Sequence, residues 1–283
     1  MIGGIVMGQT TCRIPVLSFC LALVIGLQAS LAQASPVAES VVRLSPLGAI
    51  ADQSQAMLRA GIRDGLIGTG QVDPLVAETI AGIGSRAFDP QVIRDSLATD
   101  LAEDLDEAQL KAVRDWYESD LGRRVTGAES RAAAPANWRS LQASAPALQE
   151  RFAGTPREQL FERYNRATRA TDTAVATAMD VQLELAGSLA SLSRGDSVES
   201  IRAQVEANRP AIERQVRSQV QLAFLSMYQS FSDQELETYL QFLESAPGRA
   251  YTDSAGDAVH SAIMGPVSSV GDQLVRLLGA LNE

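Results

Sequence analysis

The chain has 283 residues, 46% hydrophobic and 20% charged, with a formal net charge of −10. An acidic surface with no offsetting basic tract repels phosphate backbones, which excludes nucleic acid as a partner. Two cysteines and one histidine leave no ordinary zinc or haem ligand set and no disulfide framework, so no metal and no cofactor is expected.

The first 34 residues read as a secretory signal. Arg13 precedes the apolar run Ile14–Leu27, and Ala32-Gln33-Ala34 has the small-x-small pattern of a signal-peptidase site. The run is shorter than the roughly 20 residues a membrane-spanning helix needs. Phe19 before Cys20 does not fit a lipoprotein signal. Met1 and Met7 are alternative starts. Cleavage after Ala34 removes 34 of the 283 residues and leaves 249, without Cys12 and Cys20 and with a net charge of about −11. No later apolar run is long enough to insert in a membrane. The expected location is the periplasm or the medium.

Beyond the signal, sustained alternation of β-branched residues is absent and apolar spacings of three and four recur, which predicts an all-α protein of about ten helices. Asp73-Pro74 and Asp89-Pro90 each place a capping side chain before a proline at the first helical position, and Thr155-Pro156-Arg157-Glu158 adds a capping-box glutamate. Asp106 with Gln109, flanked by Leu105 and Leu110, marks a capped and stapled helix start. The helix presents Leu110, Val113, Trp116 and Tyr117 on one face and is expected to end at Gly122 in a left-handed cap. Arg194-Gly195-Asp196 has the form of an adhesion tripeptide but reads better as a helix boundary, with Asp196 and Glu199 as a capping box.

The same devices return in the second half. Ser232 and Glu235 repeat the capping box, Phe231 and Leu236 the staple, and Leu236, Tyr239, Phe242 and Leu243 the apolar face. Gly248 repeats Gly122, with Pro247 expected to end the helix near Ser245. The phrase aromatic-x-Glu-Ser-x-x-Gly-Arg thus occurs twice, as Trp116, Glu118, Ser119, Gly122, Arg123 and as Phe242, Glu244, Ser245, Gly248, Arg249, at an offset of 126. Ala60-Gly61, Leu66, Val72, Ala77 and Thr126 fall on like residues at the same offset. The reading is a tandem duplication. A first unit spans 45–150, a connecting helix 151–170 and a second unit 171–283, with no third copy to make a solenoid.

Phe231–Thr252, and in degenerate form Leu105–Thr126, resemble a bacterial family of exported helical proteins known as domain of unknown function 2059, the second copy lying closer to the pattern. The resemblance implies a small helical periplasmic fold and brings no activity or catalytic residue with it.

The two phrases are expected to be structural turns, each glutamate needing a compensating partner at the unfavourable helix end: the arginine after the glycine, or the free N–H groups of the next helix. The competing reading is a lytic transglycosylase with Glu118 or Glu244 as the acid, which needs a carboxyl held protonated by an apolar pocket. Neither Glu-Ser is followed by the Gly-aromatic continuation such enzymes carry. His260 has no Gly-x-Ser-x-Gly elbow to join it in a triad and is expected on a helix before a break at Gly265-Pro266. Gly65–Gly70 lacks the lysine of a phosphate loop, and Glu103–Glu107 lacks the spacing of a calcium loop. No catalytic, cofactor or metal residue is assigned. What remains is a binding or structural module of the envelope, with a protein partner or a second copy of itself as candidate companions. The C-terminal segment from Asp272 is either core or a dimer seam.

Overall fold

The computed structural model describes residues 35–68, 73–190 and 198–281, all within one compact unit spanning residues 34–283. The signal segment, the Arg194-Gly195-Asp196 boundary and part of Gly65–Gly70 lie outside the described residues. So do the side chains of residues 269–281, on which the choice between core and seam depends.

Twelve α-helices and no strand occur among the described residues. They are α1 (Pro36–Leu44), α2 (Pro46–Gly68), α3 (Pro74–Gly84), α4 (Pro90–Asp104), α5 (Glu107–Glu118), α6 (Asp120–Ala133), α7 (Trp138–Phe152), α8 (Pro156–Thr168), α9 (Ala170–Ala190), α10 (Val198–Met227), α11 (Asp233–Leu243) and α12 (Ala246–Leu281). Short 3₁₀ turns at Ser85–Ala87 and Pro135–Asn137 join α3 to α4 and α6 to α7.

The helix starts follow the local chemistry. Asp73 and Asp89 each accept from the backbone N–H two residues on (2.8 Å in both), with a proline next in line. Both capping boxes close reciprocally: Asp106 accepts from Gln109 N and Gln109 from Asp106 N, and Ser232 and Glu235 do the same. Leu105, Leu110, Phe231 and Leu236, which flank them, are all buried in the core.

Two expectations need correction. The box at Thr155 does not form: the Thr155 hydroxyl turns back to the Phe152 carbonyl (2.7 Å), and Glu158 accepts from Gly154 N instead. Pro266 does not break the chain either. It sits inside α12, as Pro146 and Pro210 sit inside α7 and α10. A proline deletes one ladder bond, a loss that tertiary packing outweighs here. Val267, next to Pro266, is 4% exposed.

One core runs through most of the helices, from Val41 in α1 through Leu97, Leu101 and Val113 to Phe224, Leu240 and Tyr251. A smaller cluster of Val175, Met179 and Val205 lies between α9 and α10. Arg157, at the start of α8, is 6% exposed and donates to the carbonyls of Tyr228 (2.9 Å) and Phe231 (2.7 Å), with Asp233 at 2.9 Å. Its guanidinium therefore satisfies carbonyls just past the C-terminus of α10, where a cation is favoured. Helix α12 packs on α9 and α8 and also reaches α4 and α5, so it bridges the two halves of the sequence.

Candidate functional site

The repeated phrase builds the same corner twice. In the first, α5 stops at Glu118 and α6 starts at Asp120, with Ser119 capping both. Its hydroxyl donates back to the Trp116 carbonyl (2.6 Å) and accepts from Gly122 N (3.0 Å). In the second, Ser245 donates to the Phe242 carbonyl (2.6 Å) and accepts from Gly248 N (3.2 Å). Arg123 and Arg249 each close their corner by donating to the backbone carbonyl of Glu118 and Glu244 respectively.

The glycines have a different task from the expected one. Neither adopts a positive φ; among the described residues only Gly154 and Arg169 do. Gly122 and Gly248 are the third residues of α6 and α12, and they lie against the end of the preceding helix. A Cβ at Gly122 would stand 2.8 Å from Tyr117 Cα, and at Gly248 2.9 Å from Leu243 Cα. Both would press still closer on the Trp116 or Phe242 carbonyl oxygen. The residue type is fixed by close approach of backbone to backbone rather than by left-handed geometry. The threonine four residues on repeats as well: Thr126 donates to the Leu44 carbonyl at the end of α1 (2.9 Å), and Thr252 to the Ala167 carbonyl near the end of α8 (3.1 Å).

The corners meet through their aromatic residues. Trp116 stacks on Phe242 (centroids 4.3 Å apart, 10° between planes) and on Tyr239 (5.0 Å, 22°). Trp116 and Phe242 hold the same position in the two phrases. The glutamates are treated differently. Glu118 is exposed. Glu244 is gripped by Arg163 of α8 through two bonds of 2.9 and 2.7 Å, and Arg163 also holds Glu237. The Glu244 carboxylate thus ties its corner to α8, not to α12, and the Arg163 guanidinium lowers its pKa. A general acid needs the opposite shift.

A carboxyl pKa shifted far upward belongs to a residue the sequence reading missed. Glu129, on the inner side of α6 beside buried Val125 and Ala128, accepts from the hydroxyls of Tyr228 and, at 3.0 Å, Tyr239. Desolvation pushes its pKa up to about 7, the two hydroxyls working in the other direction. Its position four residues after Val125 was the available signal, since that spacing puts a carboxylate on an apolar helix face. Tyr164 lies against Tyr228 and Tyr239, and Tyr117 against Tyr251, so all five tyrosines of the chain gather at this seam.

His260 on α12 has neighbours that imitate a triad: Thr177 Oγ1 lies 3.0 Å from Nδ1, and Asp180 lies 3.5 Å from Nε2. All three sit in the interior of α9 and α12, where backbone N–H groups are spent on the helix ladder and cannot stabilise an oxyanion. Among the described residues no three His, Cys, Asp or Glu side chains converge on a metal position, and no helix is long and apolar enough to cross a membrane.

Two hollows flank α2. One, of about 250 Å³, is walled by Met57, Leu58, Phe88 and Leu97 of the first half and by Val259 and Ile263 of α12, with Ser54 its one hydroxyl side chain. The other, of about 420 Å³, is lined by Arg59, Arg63 and Asp64 together with small residues. Trp138, the first residue of α7, lines both. Neither hollow includes Glu118, Glu129 or Glu244.

No curated protein and no solved structure matches the chain. A family model described as "Uncharacterized protein conserved in bacteria (DUF2059)" matches residues 91–151, from the first turn of α4 to the end of α7. The matched stretch contains the first corner, although the sequence reading held the second to be closer to the family pattern; it supports the resemblance on Leu105–Thr126.

Proposed function

We propose that this is an exported binding module made of two tandem copies, whose site is the apolar hollow where α12 crosses the first copy. The observation that carries the reading is that hollow: about 250 Å³, walled almost wholly by hydrocarbon and open to the surface. Protein interiors pack densely and apolar surface costs free energy in water, so such a concavity is the default place for an apolar group to enter.

The duplication is supported by the corners, by their matched threonines, and by the way the surrounding helices pair. Helix α1 packs on α5 as α8 packs on α11, and α2 packs on α6 as α9 packs on α12. On this reading α8 is the counterpart of α1, and α7 rather than α8 is the connector. Export rests on the signal-like residues 1–34, and N-terminal sequencing of periplasmic protein should begin at Ser35.

The transglycosylase alternative loses support because Glu244 is held as a carboxylate by Arg163. Trp138 supplies the test of binding. In Trp116→Phe it is the only tryptophan left, and titration with decanol should shift its emission. Ala262→Phe, which fills the hollow, should abolish that shift with helical circular dichroism unchanged. Decanol that leaves Trp138 unmoved defeats the reading.

A further inference from the structure

The two hollows are neighbours along α2. Leu58, in the wall of the apolar one, is followed immediately by Arg59 in the wall of the other, and Arg63 comes one turn later. Trp138 lines both, as suits an amphipathic residue at such a boundary.

The cleft has two guanidinium groups and one carboxylate in its lining, on a chain whose formal charge is −10. Arg59 is engaged with Glu78 of α3 (Nε to Oε1, 2.6 Å) and Arg63 with its neighbour Asp64 (2.9 Å). Arg59 and Asp64 are 54% and 57% exposed and their partners Glu78 and Arg63 33% and 30%, so both pairs reach solvent, where ion pairs contribute little and an incoming anion can compete for the guanidinium groups. Guanidinium groups suit planar or tetrahedral oxyanions, which they bind through paired N–H donors. The apolar hollow is smaller than the roughly 300 Å³ at which pockets for whole drug-sized ligands begin, so it takes part of a ligand, such as a chain segment.

We propose that the two hollows form one site for a single-chain amphiphile with an anionic head: the chain lies in the apolar hollow, crosses Trp138, and sets its carboxylate or phosphate against Arg59 and Arg63. The assignment rests on the apolar hollow being a binding site and adds the head group to it.

The experiment uses the full chain carrying Trp116→Phe, with Trp138 emission read during titrations of decanoate, decanol and decyltrimethylammonium below their micellar concentrations. Decanoate should bind about tenfold more tightly than decanol, the scale of a charge-assisted contact, and the cationic amphiphile more weakly than either. Adding the double change Arg59→Gln and Arg63→Gln should bring decanoate to the decanol level and leave decanol itself unchanged. Raising the salt should narrow the decanoate advantage. If decanoate gains nothing over decanol, or keeps its gain in the double variant, the head-group assignment is overturned while the hollow stands. If none of the three compounds binds, both fall.

Discussion

The two corners share a backbone and differ in what is fastened to it. Each has a capping box, a serine that serves two helices, a glycine pressed on a carbonyl and an arginine folded back to the glutamate carbonyl. The second has an external tie, Arg163 to Glu244, while Glu118 of the first points to solvent. The first has a proton-holding group, Glu129, where the residue 126 further on is Ala255. The two corners have the same main-chain geometry and different side-chain chemistry.

Replacing the glycines gives the largest expected effect and tests whether the corners are one device. Gly122→Ala and Gly248→Ala should each cost roughly 3 kcal/mol or more in denaturant unfolding, because the added methyl meets backbone that cannot yield without moving a helix. Gly61→Ala is the control. Nothing lies within 4 Å of its added Cβ inside α2, so it should be neutral or stabilise by about 0.5 kcal/mol. Unequal penalties at 122 and 248 would separate the corners.

Next comes Glu129, where the two corners differ most. Its pKa rises from 4.5 to about 7 on folding, so the folded state holds this proton more tightly than the unfolded chain. The stabilising contribution is therefore complete below about pH 4.5 and is lost as pH climbs through about 7. With partial exposure allowed for, the loss between pH 5 and 8 should be about 2 kcal/mol. Glu129→Gln, which keeps an acceptor for the tyrosines but cannot ionise, should flatten that part of the profile.

The glutamates of the phrase come third. Glu244→Ala should cost about 1 kcal/mol, since it removes a paired Arg163 contact in a half-buried setting. Glu118→Ala should leave the melting temperature where it was. Last, Trp116→Phe makes the two aromatic positions alike and should cost under about 1 kcal/mol, as the stack on Phe242 survives with a smaller ring.

Much of this was legible in the sequence because it is local. A cap, its glutamine or glutamate three residues on and the flanking apolar pair lie within six residues, and Asp106 and Ser232 read correctly for that reason. Thr155 failed because Phe152 offers its hydroxyl a carbonyl one turn back, a competition the capping rule does not see. The glycines were located but misread, since positive φ and close approach both demand glycine and only coordinates separate them. The spacing from Val125 puts Glu129 on an apolar helix face, but nothing local names its partners, which lie 99 and 110 residues away. The apolar hollow was hidden for the same reason, being walled by helices from opposite ends of the chain.

The stacking of Trp116 on Phe242 has a consequence of symmetry. If the two halves are copies, this contact joins equivalent positions, as residues on the two-fold axis of an isologous dimer do. Under the proposed duplication, a single ancestral copy would have owned a self-complementary face, able to pair with another molecule before fusion joined the two. Fusion would also have released the copies from having to carry identical residues, so that one side of the axis could acquire Glu129 and the other Arg163 without either being made twice.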